Sequence, residues 1–142
     1  MLAQNWSAAR RYKGAPPKSM EKYFTKDAQV FFVAHGSMYK GTFELEKLME
    51  SYRLSYQYIE RTEILHTYYG DDGCTVIEEC MLQRIQHCVP MQWLAPDVQP
   101  TRRSFDLRVC TVTCLSGDGR ISEQRVYWDH AQVMHALRPR RG

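Results

Sequence analysis

The feature that most constrains this fold is a pair of long strand-like segments joined by a tight turn. Residues 59–69 and 74–88 are rich in β-branched and aromatic side chains, and the sequence GDDG separates them. Glycine and aspartate adopt the backbone angles that short turns require, so this pattern predicts an antiparallel hairpin. Long strands joined by tight turns twist strongly, and the sheet containing this hairpin is therefore expected to be curved.

The rest of the chain supplies helices before the hairpin and further strands after it. The patterns predict a helix over 1–14 anchored by Trp6, a strand over 27–34, a helix over 43–55 capped by Thr42, strands over 105–115 and 121–128, and a last helix capped by Asp129 and ended by Pro139. This order predicts a single α+β domain, 1–142, in which helices cover the concave face of a curved antiparallel sheet and enclose a pocket.

Composition narrows the class of protein. The net charge of +3 is small and the basic residues are scattered, which argues against a nucleic-acid partner. We found no apolar run of transmembrane or signal-peptide length, so a membrane partner is not expected. The five cysteines include no C-x-x-C pair and match no metal-ligand spacing, which predicts buried, reduced thiols in a cytoplasmic protein without a bound metal.

Two segments carry a resemblance to a known group of proteins. The order of elements, the segment DAQVFFVAHGSMYKGTFELEKLM and the ending GDGRISEQRVYWDHAQVM resemble the NTF2-like superfamily over about residues 20–137. That superfamily includes SnoaL-like polyketide cyclases, ketosteroid isomerase, scytalone dehydratase and limonene epoxide hydrolase. His87, the loop WLAPDVQPT and the sequence YWD are further similar to SnoaL-like proteins common in fungi.

The resemblance implies a cone-shaped fold that holds a hydrophobic small molecule without a cofactor and pairs into a homodimer through its outer sheet face. It does not carry over the catalytic groups of the best-known members. The base of ketosteroid isomerase falls on Phe32 and its hydrogen-bonding acid on Thr111, while the epoxide hydrolase aspartate falls on Val126. Gln124 stands where the subgroup has an acidic residue. The fold analogy therefore implies a pocket rather than a reaction.

Candidate catalytic residues come from the long strand 74–88. Its odd-numbered face has more large apolar residues and also carries Glu79 and His87. A carboxylate on an apolar wall has a raised pKa, and a neighbouring imidazole could move a proton with it. Alternatively, Glu79 pairs with an arginine and His87 has a structural role. His35, at the expected mouth of the cone, is a third acid/base candidate or else a turn residue.

Six further residues are predicted to shape the pocket. If Val126 faces inward, alternation along the last strand turns Gln124 and Trp128 inward as well. Trp93, in a proline-bounded loop, is either a lid or a core anchor. The predicted substrate-binding set is Phe32, Tyr39, Trp93, Thr111, Gln124 and Trp128.

These observations favour a cofactor-free acid/base enzyme, that is, an isomerase, cyclase or dehydratase acting on a hydrophobic polyketide- or terpenoid-like molecule in natural-product biosynthesis. The alternative is a non-catalytic module that binds a small ligand or serves dimerisation. Cys110, Val112 and Cys114 would supply an apolar outer face if the odd-numbered residues of their strand point inward.

Overall fold

The computed structural model of the protein describes residues 10–139. Short 3-10 helices lie at Arg10–Gly14, Pro17–Ser19 and Tyr56–Tyr58. The α-helices are α1 (Met20–Tyr23), α2 (Gly41–Ser55) and α3 (His130–Ala136). The strands are β1 (Phe24–Phe32), β2 (Ser37–Lys40), β3 (Ile59–Tyr69), β4 (Thr75–Gln86), β5 (Ser104–Leu115) and β6 (Ile121–Tyr127).

The six strands form one open sheet in the order β2-β1-β6-β5-β4-β3. Every neighbouring pair is antiparallel except β1 and β6, which run parallel, so the sheet is mixed where the sequence predicted an antiparallel one. The predicted α+β class is otherwise confirmed, including the hairpin of β3 and β4. Gly73 has a φ of 73°, the left-handed geometry that a glycine in this turn accommodates without strain.

Irregularities in the strands bend the sheet. Register shifts interrupt β1, β3, β4 and β6, and such bulges increase local twist and curvature. In β4 the shift falls between Leu82 and Ile85, where Arg84 has a φ of 55°. The backbone N–H of Arg84 donates to the Asp106 carboxylate at 2.8 Å, which satisfies the group that the bulge removes from the ladder.

The concave face of the sheet carries the core. One stripe of α2, formed by Leu45, Leu48, Met49 and Tyr52, is buried there together with inward-facing strand residues. Apolar burial of this kind stabilises by roughly 25 cal/mol per Å². On β4 and β5, residues with little exposure alternate with partly exposed ones, as expected for a sheet with one face on the core and one turned outward.

Several element ends differ from the sequence prediction. Helix α2 begins at Gly41, so Thr42 lies inside the helix and does not cap it. Strand β2 was not predicted, because four residues give too short a pattern to recognise. The predicted Asp129 cap is confirmed, since its carboxylate accepts the backbone N–H groups of Ala131 and Gln132. Most of the predicted helix 1–14, with Trp6, lies outside the described residues; its end, Arg10–Gly14, is a 3-10 helix.

Between residues 10 and 139 no helix has the length and apolar character needed to span a membrane.

Candidate functional site

A cavity of about 280 Å³ lies between the concave sheet face and the helical layer. This volume is near the lower end of the range, about 300–1,000 Å³, typical of small-molecule sites. Its walls come from the N-terminal 3-10 helix, α2, the loop before β5, and strands β3 to β6. The lining side chains are Tyr12, Lys13, Tyr52, Tyr56, Thr62, Ile64, Glu78, Cys80, Leu82, Trp93, Val109, Thr111, Gln124 and Val126.

Glu78, Thr111 and Gln124 are polar side chains on the floor of the cavity, and Thr113, which does not line it, is paired with Gln124. We call these four residues the polar strip. All four are buried, with Glu78 at 5% exposure. In the register of the strands, Glu78 lies opposite Thr111 and Thr113 lies opposite Gln124. The amide of Gln124 donates to the Thr113 hydroxyl at 2.9 Å. Its carbonyl accepts from the Tyr12 hydroxyl at 2.9 Å, so the strip is tied to the N-terminal segment.

Lys13 lies against the wall opposite this floor, among three tyrosine rings. Its ammonium is 6.0, 5.4 and 5.3 Å from the ring centroids of Tyr12, Tyr52 and Tyr56. It also donates to the Tyr56 hydroxyl at 3.0 Å. The negative faces of aromatic rings attract a cation, and the rings therefore hold the ammonium beside the cavity. We call Lys13, Tyr12, Tyr52 and Tyr56 the lysine–tyrosine cage.

The charge state of the cage follows from burial and proximity. Burial raises the pKa of Tyr12, and Lys13 offsets part of that effect; burial also raises the pKa of Tyr52 well above its ordinary value. Burial alone lowers the pKa of Lys13, but the oxygens of Tyr56 and Tyr12 outweigh it and raise that pKa overall. At neutral pH, Lys13 is therefore a cation beside neutral Tyr12 and Tyr52 phenols.

Three of the predicted substrate-binding residues line the cavity. Thr111 and Gln124 belong to the polar strip, and Trp93 closes one side with 3% exposure. The Trp93 indole N–H donates to the Ser55 hydroxyl at 2.8 Å, which fixes the ring against α2. The structure places these three at the cavity, and their role toward a ligand stays a prediction.

The expectation that Glu79 and His87 share the cavity face is wrong. The even-numbered residues from Val76 to Leu82 face inward, so Glu79 lies on the convex face beside Arg108 and Cys110. The bulge at Arg84 then reverses the alternation, because one extra residue in a strand exchanges its two faces. His87 is consequently buried, and it is not among the residues that line the cavity.

His87 holds the two ends of the loop between β4 and β5 together. Its Nδ1 accepts the backbone N–H of Thr101 at 3.1 Å, so this nitrogen carries no proton. Its backbone N–H donates to the carbonyl of Arg103, and its carbonyl accepts from Arg102. Burial lowers the pKa of His87, which keeps the ring neutral. Among the described residues its Nε2 has no hydrogen-bond partner. These contacts are those of a structural histidine.

The other predicted residues form an aromatic cluster on the far side of Trp93. His35 stacks on Phe32 at 5.4 Å and lies 5.6 Å from the Trp128 ring, while Phe32 contacts Tyr39 at 5.8 Å. None of the four is among the side chains that line the cavity. Trp93 joins the cluster to the cavity wall, since its ring lies 6.2 Å from that of Trp128.

Both ring nitrogens of His35 are engaged within this cluster. Its Nε2 lies 2.8 Å from the Trp93 carbonyl, which can only accept, so Nε2 carries the proton. Nδ1 then accepts from the Ser37 hydroxyl at 3.0 Å. His130 completes the cluster: its Nδ1 accepts from the Trp128 indole, and burial, with a smaller effect of His35, lowers its pKa. His35 therefore braces the loop that carries Trp93.

Sequence reasoning missed the residues that give the cavity its chemistry. Glu78 was assigned to the outer face because the odd-numbered face of β4 holds more large apolar side chains. Along β5, Thr111 and Thr113 alternate with Cys110 and Val112, and Thr111 pairs with Glu78. Because Thr111 was predicted to face inward, this pairing would have placed Glu78 on the cavity face as well. No local signal marks the cage, whose members come from residues 12–13 and from the end of α2. Nowhere within residues 10–139 do three potential metal-ligating His, Cys, Asp or Glu side chains converge.

Solved structures with the same architecture place this chain among known folds. A protein from Jannaschia sp. CCS1 described as a SnoaL-like polyketide cyclase superposes with a TM-score of 0.69 at 17% identity, over 95% of this chain and 92% of its own. SalBIII, an epoxide hydrolase/cyclase-like enzyme of pyran ring formation in the polyether salinomycin, gives 0.67 at 18% identity over 89% of each chain. The chain has the NTF2-like fold.

A steroid Δ-isomerase from Pseudomonas aeruginosa is similar as well, with a TM-score of 0.65 at 13% identity over 96% of this chain and 85% of its own. Neither a protein-family profile nor a curated protein sequence matches the chain. The superpositions establish the NTF2-like fold. At identities this low they do not establish the activity, which has to be argued from the cavity.

Proposed function

We propose that this protein is a cofactor-free isomerase, cyclase or dehydratase that transfers a proton on a small, largely apolar molecule bound in the cavity. The observation that carries the proposal is the buried carboxylate of Glu78 on the floor of an aromatic-walled cavity. A carboxylate can accept a proton from carbon, and a shaped cavity positions the substrate for that step. The polyketide cyclase-like and isomerase-like proteins of the same fold support this class of reaction.

Each part of the cavity has a role in this proposal. Glu78 is the proton-transfer group, replacing the predicted pair of Glu79 and His87. The aromatic and apolar walls bind a polyketide- or terpenoid-like skeleton, the substrate class of natural-product biosynthesis. Thr111 and Gln124 orient its polar groups, and Trp93 forms one apolar wall.

The surroundings of the site complete the proposal. Cys74, Cys88, Cys110 and Cys114 form no disulfide in the described part of the chain, which supports placing the protein in the reducing cytoplasm. We further propose that two copies pair through the convex sheet face, which leaves the cavity of each copy accessible from its other side.

The test compares two adjacent glutamates on opposite faces of the same strand. The probe is 2-tetralone, a compact aromatic ketone, and the readout is exchange of its α-protons in D2O followed by NMR. Glu78→Gln is expected to slow the protein-catalysed exchange by about 10²-fold or more, because a general base typically contributes that much. Glu79→Gln is the matched control and should retain the wild-type rate.

Equal rates for wild type and Glu78→Gln would contradict the proposal, and so would equal losses in both variants. If 2-tetralone binds the wild-type protein but its exchange is no faster than in buffer, the enzyme reading fails and the non-catalytic binding module replaces it.

A further inference from the structure

Lys13 is a cation with no acidic partner in the described structure. Across residues 10–139, no carboxylate lies within 4.0 Å of its ammonium, and its one hydrogen bond goes to Tyr56. The segment 1–9 contains no aspartate or glutamate. The ion pairs that the described residues do form, such as Arg53 with Glu50, are at least partly exposed to water.

The cage compensates the charge of Lys13 only in part. Cation–π contacts with three rings attract the ammonium but do not neutralise it, and the Tyr56 hydroxyl satisfies one of its three donors. A charge withdrawn from water is costly unless an opposite charge and hydrogen bonds meet it. The fold nonetheless places this partly buried ammonium among the residues that line the cavity.

We propose that Lys13 is the specificity-determining residue of the cavity and selects ligands that carry an anionic oxygen on an apolar skeleton. The oxygen would belong to a carboxylate, a phenolate or an enolate and would lie at the lysine–tyrosine cage. The ring or chain of the ligand would lie against Trp93, Val109 and Leu82. This inference rests on the cavity being the binding site assumed in the proposed function, and it names the chemical class of the ligand.

The position of Lys13 relative to the polar strip supports a site that binds its ligand in one orientation. Glu78 emerges from β4 on the cavity floor, whereas Lys13 enters the same cavity from the N-terminal 3-10 helix. A ligand lying between them would present its anionic oxygen to the cation and its carbon skeleton to the carboxylate. An oxyanion that develops on proton removal would be stabilised in that arrangement.

The experiment compares two probes of similar size and shape that differ in charge. Calorimetry measures the dissociation constants of 2-naphthoate and of its neutral amide, 2-naphthamide, at pH 7.5. Wild type is expected to prefer the carboxylate by at least about tenfold, because a partly buried opposite charge is worth more than 1.4 kcal/mol. Lys13→Met should bring the ratio close to one, and Lys13→Arg should keep part of the preference.

Lys47→Met is the matched control. Lys47 also lies over an aromatic ring, that of Phe43 at 4.4 Å, but this pair is on the outside of α2. The control should leave the preference for the carboxylate unchanged. Thermal unfolding of each variant is recorded alongside, and the wild-type ratio by itself tests the inference should Lys13→Met fail to fold.

The outcomes separate this inference from the proposed function. Equal affinity of wild type for both probes, or a preference that survives Lys13→Met, overturns the role of Lys13. It leaves the proton-exchange test of Glu78 standing. A charge preference that depends on Lys13 in a protein that does not catalyse exchange supports the inference and removes the enzymatic proposal. Failure of both probes to bind also overturns the inference.

Discussion

At the scale of single residues, two neighbouring glutamates show how backbone geometry assigns chemistry. Glu78 and Glu79 have the same side chain, yet one is buried in the cavity and the other lies on the convex face, because successive residues of a strand point to opposite sides. His87 illustrates the same principle beyond the bulge. It is buried where it holds the two ends of the loop between β4 and β5 together. Its role is therefore in stability and not in proton transfer to a ligand.

We predict that His87 makes stability depend on pH. Burial lowers its pKa from the ordinary value of 6.5, so well above pH 6.5 it is neutral in both the folded and the unfolded chain. As the pH falls, the unfolded chain takes up a proton first, and stability is lost as the pH passes through the folded-state pKa. His87→Asn keeps an acceptor for Thr101 but cannot titrate. Its melting temperature should therefore fall less than that of wild type between pH 7.5 and 5.5.

The exposed His66 provides the control for this measurement. His66→Asn removes a histidine from the surface of β3 and should retain the wild-type pH dependence. Parallel melting curves of wild type and His87→Asn across this pH range would show that His87 is not the group responsible.

At the scale of elements, the bulge in β4 reverses which residues of the strand face the core, and the cavity-lining residues of β4 all precede it. It holds Arg84 at a φ of 55°, whereas the adjacent Gln83 is not among the residues with a positive φ. A residue with a side chain loses about 1–2 kcal/mol in the left-handed region, and a β-branched one tolerates it worst. The bulge is therefore a strained point that shapes the curvature of the sheet.

We predict opposite preferences at these two neighbouring positions. Arg84→Val should be less stable than Arg84→Gly by about 1–2 kcal/mol, because valine is strained at this φ and glycine is not. At Gln83 the order should reverse, since valine suits an extended strand better than glycine. Urea unfolding of the four variants measures the differences. The same order at both positions would mean that the bulge does not exist in solution.

At the scale of the whole molecule, the open sheet leaves a convex face with several partly exposed apolar side chains. Val112 lies in register between Ile77 on one side and Arg125 on the other, and Tyr127 is 37% exposed. A second copy of the chain would cover this face with its own convex face, because a two-fold interface is formed by the same surface of both copies.

We predict that the protein is a dimer and that Val112→Arg makes it a monomer. The introduced arginine would be buried without a partner, and it would be repelled by the same arginine of the other copy across the two-fold axis. Sedimentation velocity over a range of concentrations measures the state. Phe43→Arg is the control, because Phe43 is 70% exposed on α2, away from the convex face. Wild type that sediments as a monomer at every concentration, or a Val112→Arg variant that stays dimeric, would refute the prediction.

What the sequence determined by itself is local. The glycine–aspartate turn, the period-two strands after it and the carboxylate of Asp129 ahead of α3 each act through neighbouring residues, and the α+β class follows from their order. Alternation also places Thr111 and Gln124 correctly, because β5 and β6 keep one parity through the cavity.

Only the tertiary structure decided what the site contains. One extra residue at Arg84 exchanges the faces of β4, and no local pattern announces it. The bond between Tyr12 and Gln124 joins residues 112 positions apart, and the cage draws Lys13 to the end of α2. Such contacts form because burying apolar surface brings distant segments together, and their partners are specified by packing across the whole chain rather than by the neighbours of either residue.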